Sequence, residues 1–261
     1  MNPLTYLFVP GDRPERFDKA ANAGASCIIL DLEDAVLPDA KPRAREAIAE
    51  WLARNAEHAS RTVVRINDAS DLPFFAKTRV GAVMLPKAES ASQVRDVASA
   101  GARVIALVET ARGVRAMEEI AETEGIERLA FGTIDYAVDI DATGDRDALA
   151  YPASRMVVAS RCAGLPRPIA GVTAAIDDEG QLRSDVAWER SLGFGAKLLI
   201  HPRQVAVVQD AMRPTDDEVA WARRVVAAAH ASQGAVQVDG RMVDRPVLAT
   251  AQAILERIST R

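Results

Sequence analysis

The sequence predicts an α/β protein: a closed (β/α)8 barrel of the TIM type, with a helical and hairpin extension at the C-terminus. Three observations carry this. Eight short apolar runs alternate with helical segments over about 200 residues, the number of units that closes such a barrel. Most runs are continuous rather than alternating, as in parallel strands covered on both faces. No G-x-G-x-x-G follows a strand, which weakens the structural alternative, a doubly wound open sheet built for a dinucleotide.

The elements follow in chain order. Strands are expected at 6–10 (YLFVP), 27–33 (CIILDLE), 61–67 (RTVVRIN) and 82–87 (AVMLPK). Four more are expected at 103–110 (RVIALVET), 128–135 (RLAFGTID), 168–176 (PIAGVTAAI) and 196–202 (AKLLIHP). Between them, 14–24 opens on Pro and closes on Gly, the usual helix asymmetry. Residues 42–57 place Ala44, Ile48, Trp51 and Leu52 on one face at helical spacing. Residues 90–100 open on Ser90, an N-cap candidate. Helices are also expected at 113–124, 148–164 and 185–192, with a short one at 73–78. In the tail, a helix at 215–232 carries Asp216, Asp217 and Glu218 in its first turn, where acids complement the helix dipole. A hairpin-like stretch with an Asp-Gly turn and a last helix at 247–258 close the chain. The expected organisation is a barrel at 1–212 and an extension at 213–261.

Composition narrows the function classes. With 49% hydrophobic and 26% charged residues, the chain can bury a core and is not of the disordered class. Lys plus Arg number 32 and Asp plus Glu 37, so the net charge is −5, which argues against a dedicated nucleic-acid binder. Two cysteines, Cys27 and Cys162, cannot make a disulfide framework, so a reducing compartment is expected. No apolar run reaches the ~18 residues of a membrane span. No basic stretch precedes the short apolar run at the N-terminus. A cytoplasmic protein without nucleic-acid or membrane partners is expected.

Active sites of such barrels lie at the C-terminal ends of the strands, and here those ends are polar. They carry Asp31, Glu33 and Asp34, then Arg65 and Asn67, Lys87, Glu109 and Thr110, Asp135, and His201. Carboxylates without Cys or His partners suit a hard divalent cation, and Glu109 and Asp135 on adjacent strand ends are the natural pair. The structural alternatives are that Glu109 caps a helix start at 110–112 and that Asp135 serves a turn. Arg65, in a buried strand, needs an anionic partner. It either forks onto a substrate carboxylate or pairs with Glu33 or Asp31. Lys87 reads as a cation that neutralises the acidic rim, in preference to a Schiff-base lysine, because abundant carboxylates keep its amine protonated. His201 reads as structural.

Taken together, these segments resemble the HpcH/HpaI aldolase and citrate lyase β-subunit superfamily, in its citrate-lyase-β-like branch. The matching pieces begin with LFVPGDRPERFDKA at 7–20, ILDLEDAV at 29–36, KPRAR at 41–45 and VRIN at 64–67. They continue with MLPKAES at 84–90, ALVETARGV at 106–114, FGTID at 131–135, IHPRQ at 200–204 and GRMVDRPVL at 240–248. The resemblance implies a barrel of the phosphoenolpyruvate/pyruvate-domain type whose C-terminal extension packs on a neighbouring subunit. It implies a Mg²⁺-dependent carbon–carbon lyase that splits a 3-hydroxyacyl-CoA thioester into an acyl-CoA and a small keto acid. Citramalyl-CoA, malyl-CoA, citryl-CoA and hydroxymethylglutaryl-CoA are the candidate substrates. By the same resemblance, Glu109 and Asp135 bind the metal, Glu109 facing the substrate, and Arg65 grips a carboxylate of the keto-acid portion. Asp31, Glu33 and Asp34 lie around the metal or its waters with Lys87 beside them. Asp244 is the acid/base, supplied in trans, in a homotrimer or a multiple of one.

The chain departs from the family pattern at Tyr136 where Leu is usual, at GFGAK (193–197), in the Asp-rich stretch 137–150, and at Ala170 where an acid is common. These positions bear on the substrate more than on the fold or the metal. Three alternatives stand beside the thioester lyase. One is a citrate lyase β subunit acting with separate acyl-carrier partners. Another is a class II aldolase on free keto acids, with a base near His201. The third is a non-catalytic subunit that binds a carrier or thioester. Arg13, Arg16 and Lys19 are candidates for CoA phosphates, or simply a solvated helix face.

Overall fold

The computed structural model describes residues 3–75, 78, 80–231 and 236–259. Eight strands pair in chain order into a closed barrel. They are β1 (Thr5–Pro10), β2 (Cys27–Asp31), β3 (Thr62–Arg65), β4 (Ala82–Leu85), β5 (Val104–Val108), β6 (Ile126–Phe131), β7 (Ile169–Ala170) and β8 (Ala196–Leu199). Every neighbouring pair is parallel, and Thr5 opposite Lys197 closes the ring. β2 and β5 are buried at every position, which is why they read as unbroken apolar runs.

Helices follow the strands. They are α1 (Phe17–Ala21), α2 (Lys41–Arg54), α3 (Ala56–Ala59), α4 (Leu72–Phe75), α5 (Ala91–Ser99), α6 (Ala111–Arg115), α7 (Met117–Ala121), α8 (Thr133–Asp139), α9 (Arg146–Cys162), α10 (Glu179–Leu192) and α11 (Gln204–Ala211). α2 buries Ala44, Ile48, Trp51 and Leu52, the face its spacing indicated. Residues 76 and 77 of the expected 73–78 helix, and residue 232 of the expected 215–232 helix, lie outside the described residues.

Several boundaries differ from the expectation, and three of them bear on the site or have an identifiable partner. The sixth strand stops at Phe131 and the chain enters α8, so Asp135 sits in a first helical turn instead of on a strand. The seventh shrinks to two residues because its following carbonyls are diverted to side chains. Lys197 Nζ takes Gly171 O at 2.8 Å, and Gln204 Nε2 takes Thr173 O at 3.0 Å. α10 begins well before residue 185 because the Asp178 carboxylate accepts the Gln181 N–H at 2.8 Å, a side-chain N-cap.

The chain forms two compact units, Asn2–Gln209 and Asp210–Arg261. The second contains α12 (Asp216–Ala231), β9 (Val236–Val238), β10 (Arg241–Val243) and α13 (Arg245–Ser259). Its own core joins Ala222 and Val225 of α12 to Ala251 and Ile254 of α13. The hairpin turns on Asp239 and Gly240 with φ of 52° and 76°, the two positive values a type I′ turn needs. Among the described residues no helix is long and apolar enough to cross a membrane.

Candidate active site

Side chains alternate along a strand, so the phase of the core fixes what stands at the mouth of the barrel. Cys27, Ile29, Val63, Ile105 and Leu107 belong to one buried cluster. The next residues in that phase are Asp31, Arg65 and Glu109. All three are buried, with 1%, 8% and 1% of their surface exposed.

Arg65 holds the acids of the second strand end. Its Nε donates to Asp31 Oδ1 at 2.6 Å and its Nη2 to Asp31 Oδ2 at 2.7 Å, a two-point fork. Nη1 lies 2.9 Å from Glu33 Oε2 and 3.9 Å from Asp34, which is exposed. Glu33 Oε2 is nevertheless buried without an aligned hydrogen bond, so the Arg65–Glu33 contact is one of charge. The guanidinium also covers the Phe8 ring, 4.8 Å from its centroid. Burial opposes its charge, but the Asp31 hydrogen bonds and charge outweigh burial and its pKa is raised. Of the two partners open from sequence, the structure shows the protein's own acids. The fork leaves further guanidinium N–H groups beyond those on Asp31.

Lys87 joins the second strand end to the fifth. Its ammonium pairs with Glu33 Oε1, and that hydrogen bond outweighs a desolvation cost to raise its pKa. A protonated, paired amine does not form a Schiff base. Its backbone takes φ of 46°, unusual for a residue with a side chain, and its N–H donates to Glu109 Oε1 at 2.8 Å. Thr110 caps α6, accepting the Gly113 N–H at 3.0 Å, so Glu109 is not the cap. Lys41 is a residue the sequence reading missed. Its Nζ bonds Leu32 O, Glu33 O and Asn67 Oδ1 at 2.7, 3.0 and 2.6 Å, locking the acidic loop to the third strand end. The only signal for it was the KPRAR match.

Burial pushes the Glu109 carboxyl up to about 8; the charges of Glu33 and Asp135 push the same way, against the Lys87 N–H and Arg65. A cation beside it would reverse this and keep it ionised. Gly132 makes room for it: a Cβ there would lie 2.4 Å from Glu109 Oε2 and 2.5 Å from Glu109 Cβ. Asp135, partly exposed, stands on the first turn of α8. Among the described residues no group of three or more His, Cys, Asp or Glu is arranged to hold a metal. Mg²⁺ fits a pair of this kind, because it takes one or two carboxylates and fills its shell with water or substrate oxygens.

Other candidate residues fall elsewhere. His201 Nδ1 accepts the Arg203 N–H at 3.2 Å, a local turn contact. Arg13 and Arg16 are exposed, 3.8 and 3.9 Å from the adjacent acids Asp12 and Glu15. Asp244 lies in the second unit, exposed, and its Oδ1 accepts the Val247 N–H at 3.0 Å as a cap of α13. A cavity of about 550 Å³ opens between α8, α9 and α10; Ile134, Leu149, Trp188 and Glu189 are among its lining residues, whereas Glu109 and Asp135 are not.

Residues 4–202 match the family model of the HpcH/HpaI aldolase/citrate lyase proteins. A citrate lyase subunit beta-like protein of Mycobacterium tuberculosis is 40% identical, over 97% of this chain and 94% of its own length. A (3S)-malyl-CoA thioesterase of Cereibacter sphaeroides is 32% identical, over 97% of this chain and 93% of its own. The crystal structure of CitE from M. tuberculosis in complex with magnesium, acetoacetate and coenzyme A superimposes with a TM-score of 0.88. It is 39% identical and covers 99% of this chain and 98% of its own.

Proposed function

The chain belongs to the HpcH/HpaI aldolase/citrate lyase family, and from that premise we propose that it is a Mg²⁺-dependent carbon–carbon lyase acting on a 3-hydroxyacyl-CoA thioester. The observation that carries the reading is Glu109: a buried carboxyl at the barrel mouth, pushed up to about 8 by burial and by neighbouring acids that include Asp135. Such a pair has a chemical use beside a cation and a cost without one. The CitE structure with magnesium, acetoacetate and coenzyme A supports both the metal and the substrate class.

In this reading Glu109 and Asp135 hold Mg²⁺. When bound, the ion supplies Lewis acidity and a template for the oxygens of the keto-acid portion. Arg65, fixed in place by Asp31, offers its remaining N–H groups and its charge to the substrate carboxylate. Glu33, Asp34 and Lys87 set the charge around that carboxylate. Asp244, brought by the extension of a neighbouring subunit, moves a proton to or from the acyl carbon as the bond between C2 and C3 breaks or forms. That role requires an oligomer, and a trimer or a multiple of one is the expected assembly.

The (3S)-malyl-CoA thioesterase relative favours a second reading, hydrolysis of the thioester. Product analysis separates the two. A lyase yields an acyl-CoA and a keto acid from malyl-CoA or its homologues, with no free CoA. Release of free CoA together with the intact 3-hydroxy acid would replace the lyase reading by the thioesterase one.

A further inference from the structure

We propose that Asp139 is a positioning residue that sets the separation of Glu109 and Asp135; the inference rests on the reading of those two acids as the Mg²⁺ pair. Asp139 and Asp135 are four residues apart on α8 and therefore share a face. The Asp139 Oδ2 accepts the N–H of Ala111 at 2.7 Å. Ala111 stands two residues after Glu109 and is the first residue of α6, where a backbone N–H has no partner within its own helix.

α8 is thereby tied to the Glu109 segment at both ends. At its start, the Gly132 N–H donates to Val108 O at 3.0 Å. At its end, Asp139 holds Ala111. Packing of Tyr136 on Phe131 holds the buried side of α8; the two tethers set its distance from the Glu109 segment at each end, and Asp135 lies between them. The Glu109 side of the arrangement is held as firmly. The Lys87 N–H donates to the Glu109 carboxylate at 2.8 Å, and the Thr110 hydroxyl donates to Glu89 Oε1 at 2.9 Å. Three consecutive residues are thus clamped, Glu109 and Thr110 by the loop between β4 and α5 and Ala111 by α8. Asp139 itself is exposed, and its one hydrogen bond among the described residues goes to a backbone N–H beside the site.

The test is calorimetric titration of Mg²⁺ into the full-length, chelator-stripped protein, with thermal melting of each variant alongside. Asp139→Ala should weaken Mg²⁺ affinity by about tenfold or more, the range seen when a ligand loses its outer support. Asp139→Asn keeps an oxygen that can accept from Ala111 and should recover most of the affinity. Wild-type affinity in Asp139→Ala would overturn the proposal, as would a lowered melting temperature with unchanged affinity, which reduces Asp139 to a cap of α6. Equal weakening by Ala and Asn would assign the effect to charge and overturn the tether. A wild-type protein that binds no Mg²⁺ would overturn the metal reading itself, and this inference with it.

Discussion

Glu109→Gln is expected to lower Mg²⁺-dependent turnover on the order of a thousandfold while leaving the fold intact. A metal acting as Lewis acid is worth several kcal/mol at the transition state. About 4 kcal/mol corresponds to a thousandfold in rate. The fold survives because the ionised carboxylate is disfavoured where it sits: burial and the neighbouring acids push its pKa up to about 8. Removing the charge therefore costs the metal-free protein no net stability, since burial and the neighbouring acids outweigh the help of the Lys87 N–H and Arg65. The amide oxygen of Gln still accepts the Lys87 N–H that now meets Glu109 Oε1 at 2.8 Å. Circular dichroism, a melting curve and a rate assay over a range of Mg²⁺ concentrations check this. Near-normal rates with unaltered Mg²⁺ dependence would remove Glu109 from the metal site.

Asp244→Asn is expected to lose activity by roughly 10²- to 10⁴-fold, the span of general acid–base catalysis, with no change in melting temperature. The substitution separates two roles. Asp244 caps α13 through the Val247 N–H, and Asn caps a helix as well as Asp does. The Asn amide cannot serve as an acid or a base. Mixing this variant with Glu109→Gln under conditions that exchange subunits is expected to restore part of the activity. Some sites then combine an intact Glu109 with an intact Asp244 from the neighbour. Failure of the mixture to regain activity would place Asp244 and Glu109 in the same chain's site, and full activity of Asp244→Asn alone would end its catalytic role.

The barrel was legible because its strands are covered on both faces: CIILD and VIALV are buried at every position and read as unbroken apolar runs. The polar mouth was legible for the same reason, as Asp31, Arg65 and Glu109 continue the inward phase just past the apolar part of each run. What stayed hidden depends on contacts between distant segments. The reach of Lys41 to Asn67, 26 residues away, has no local signature. The choice of Arg65 between its own acids and a ligand could not be read from spacing, since Asp31 ends a different strand and Glu33 lies in the loop after it. The seventh strand was overestimated because the side chains that take its carbonyls, Lys197 and Gln204, come from the eighth unit. The start of α10, by contrast, was local: Asp178 and Gln181 have the spacing of a capping pair.

The measurement that tests the account most directly is metal removal followed by readdition. Chelator-stripped protein is offered citramalyl-, malyl-, citryl- and hydroxymethylglutaryl-CoA, first with EDTA and then with excess Mg²⁺. The account predicts no cleavage in EDTA and, with Mg²⁺, release of an acyl-CoA and a keto acid from at least one thioester. Cleavage at an undiminished rate in EDTA, or none of any thioester by folded protein loaded with Mg²⁺, would contradict it.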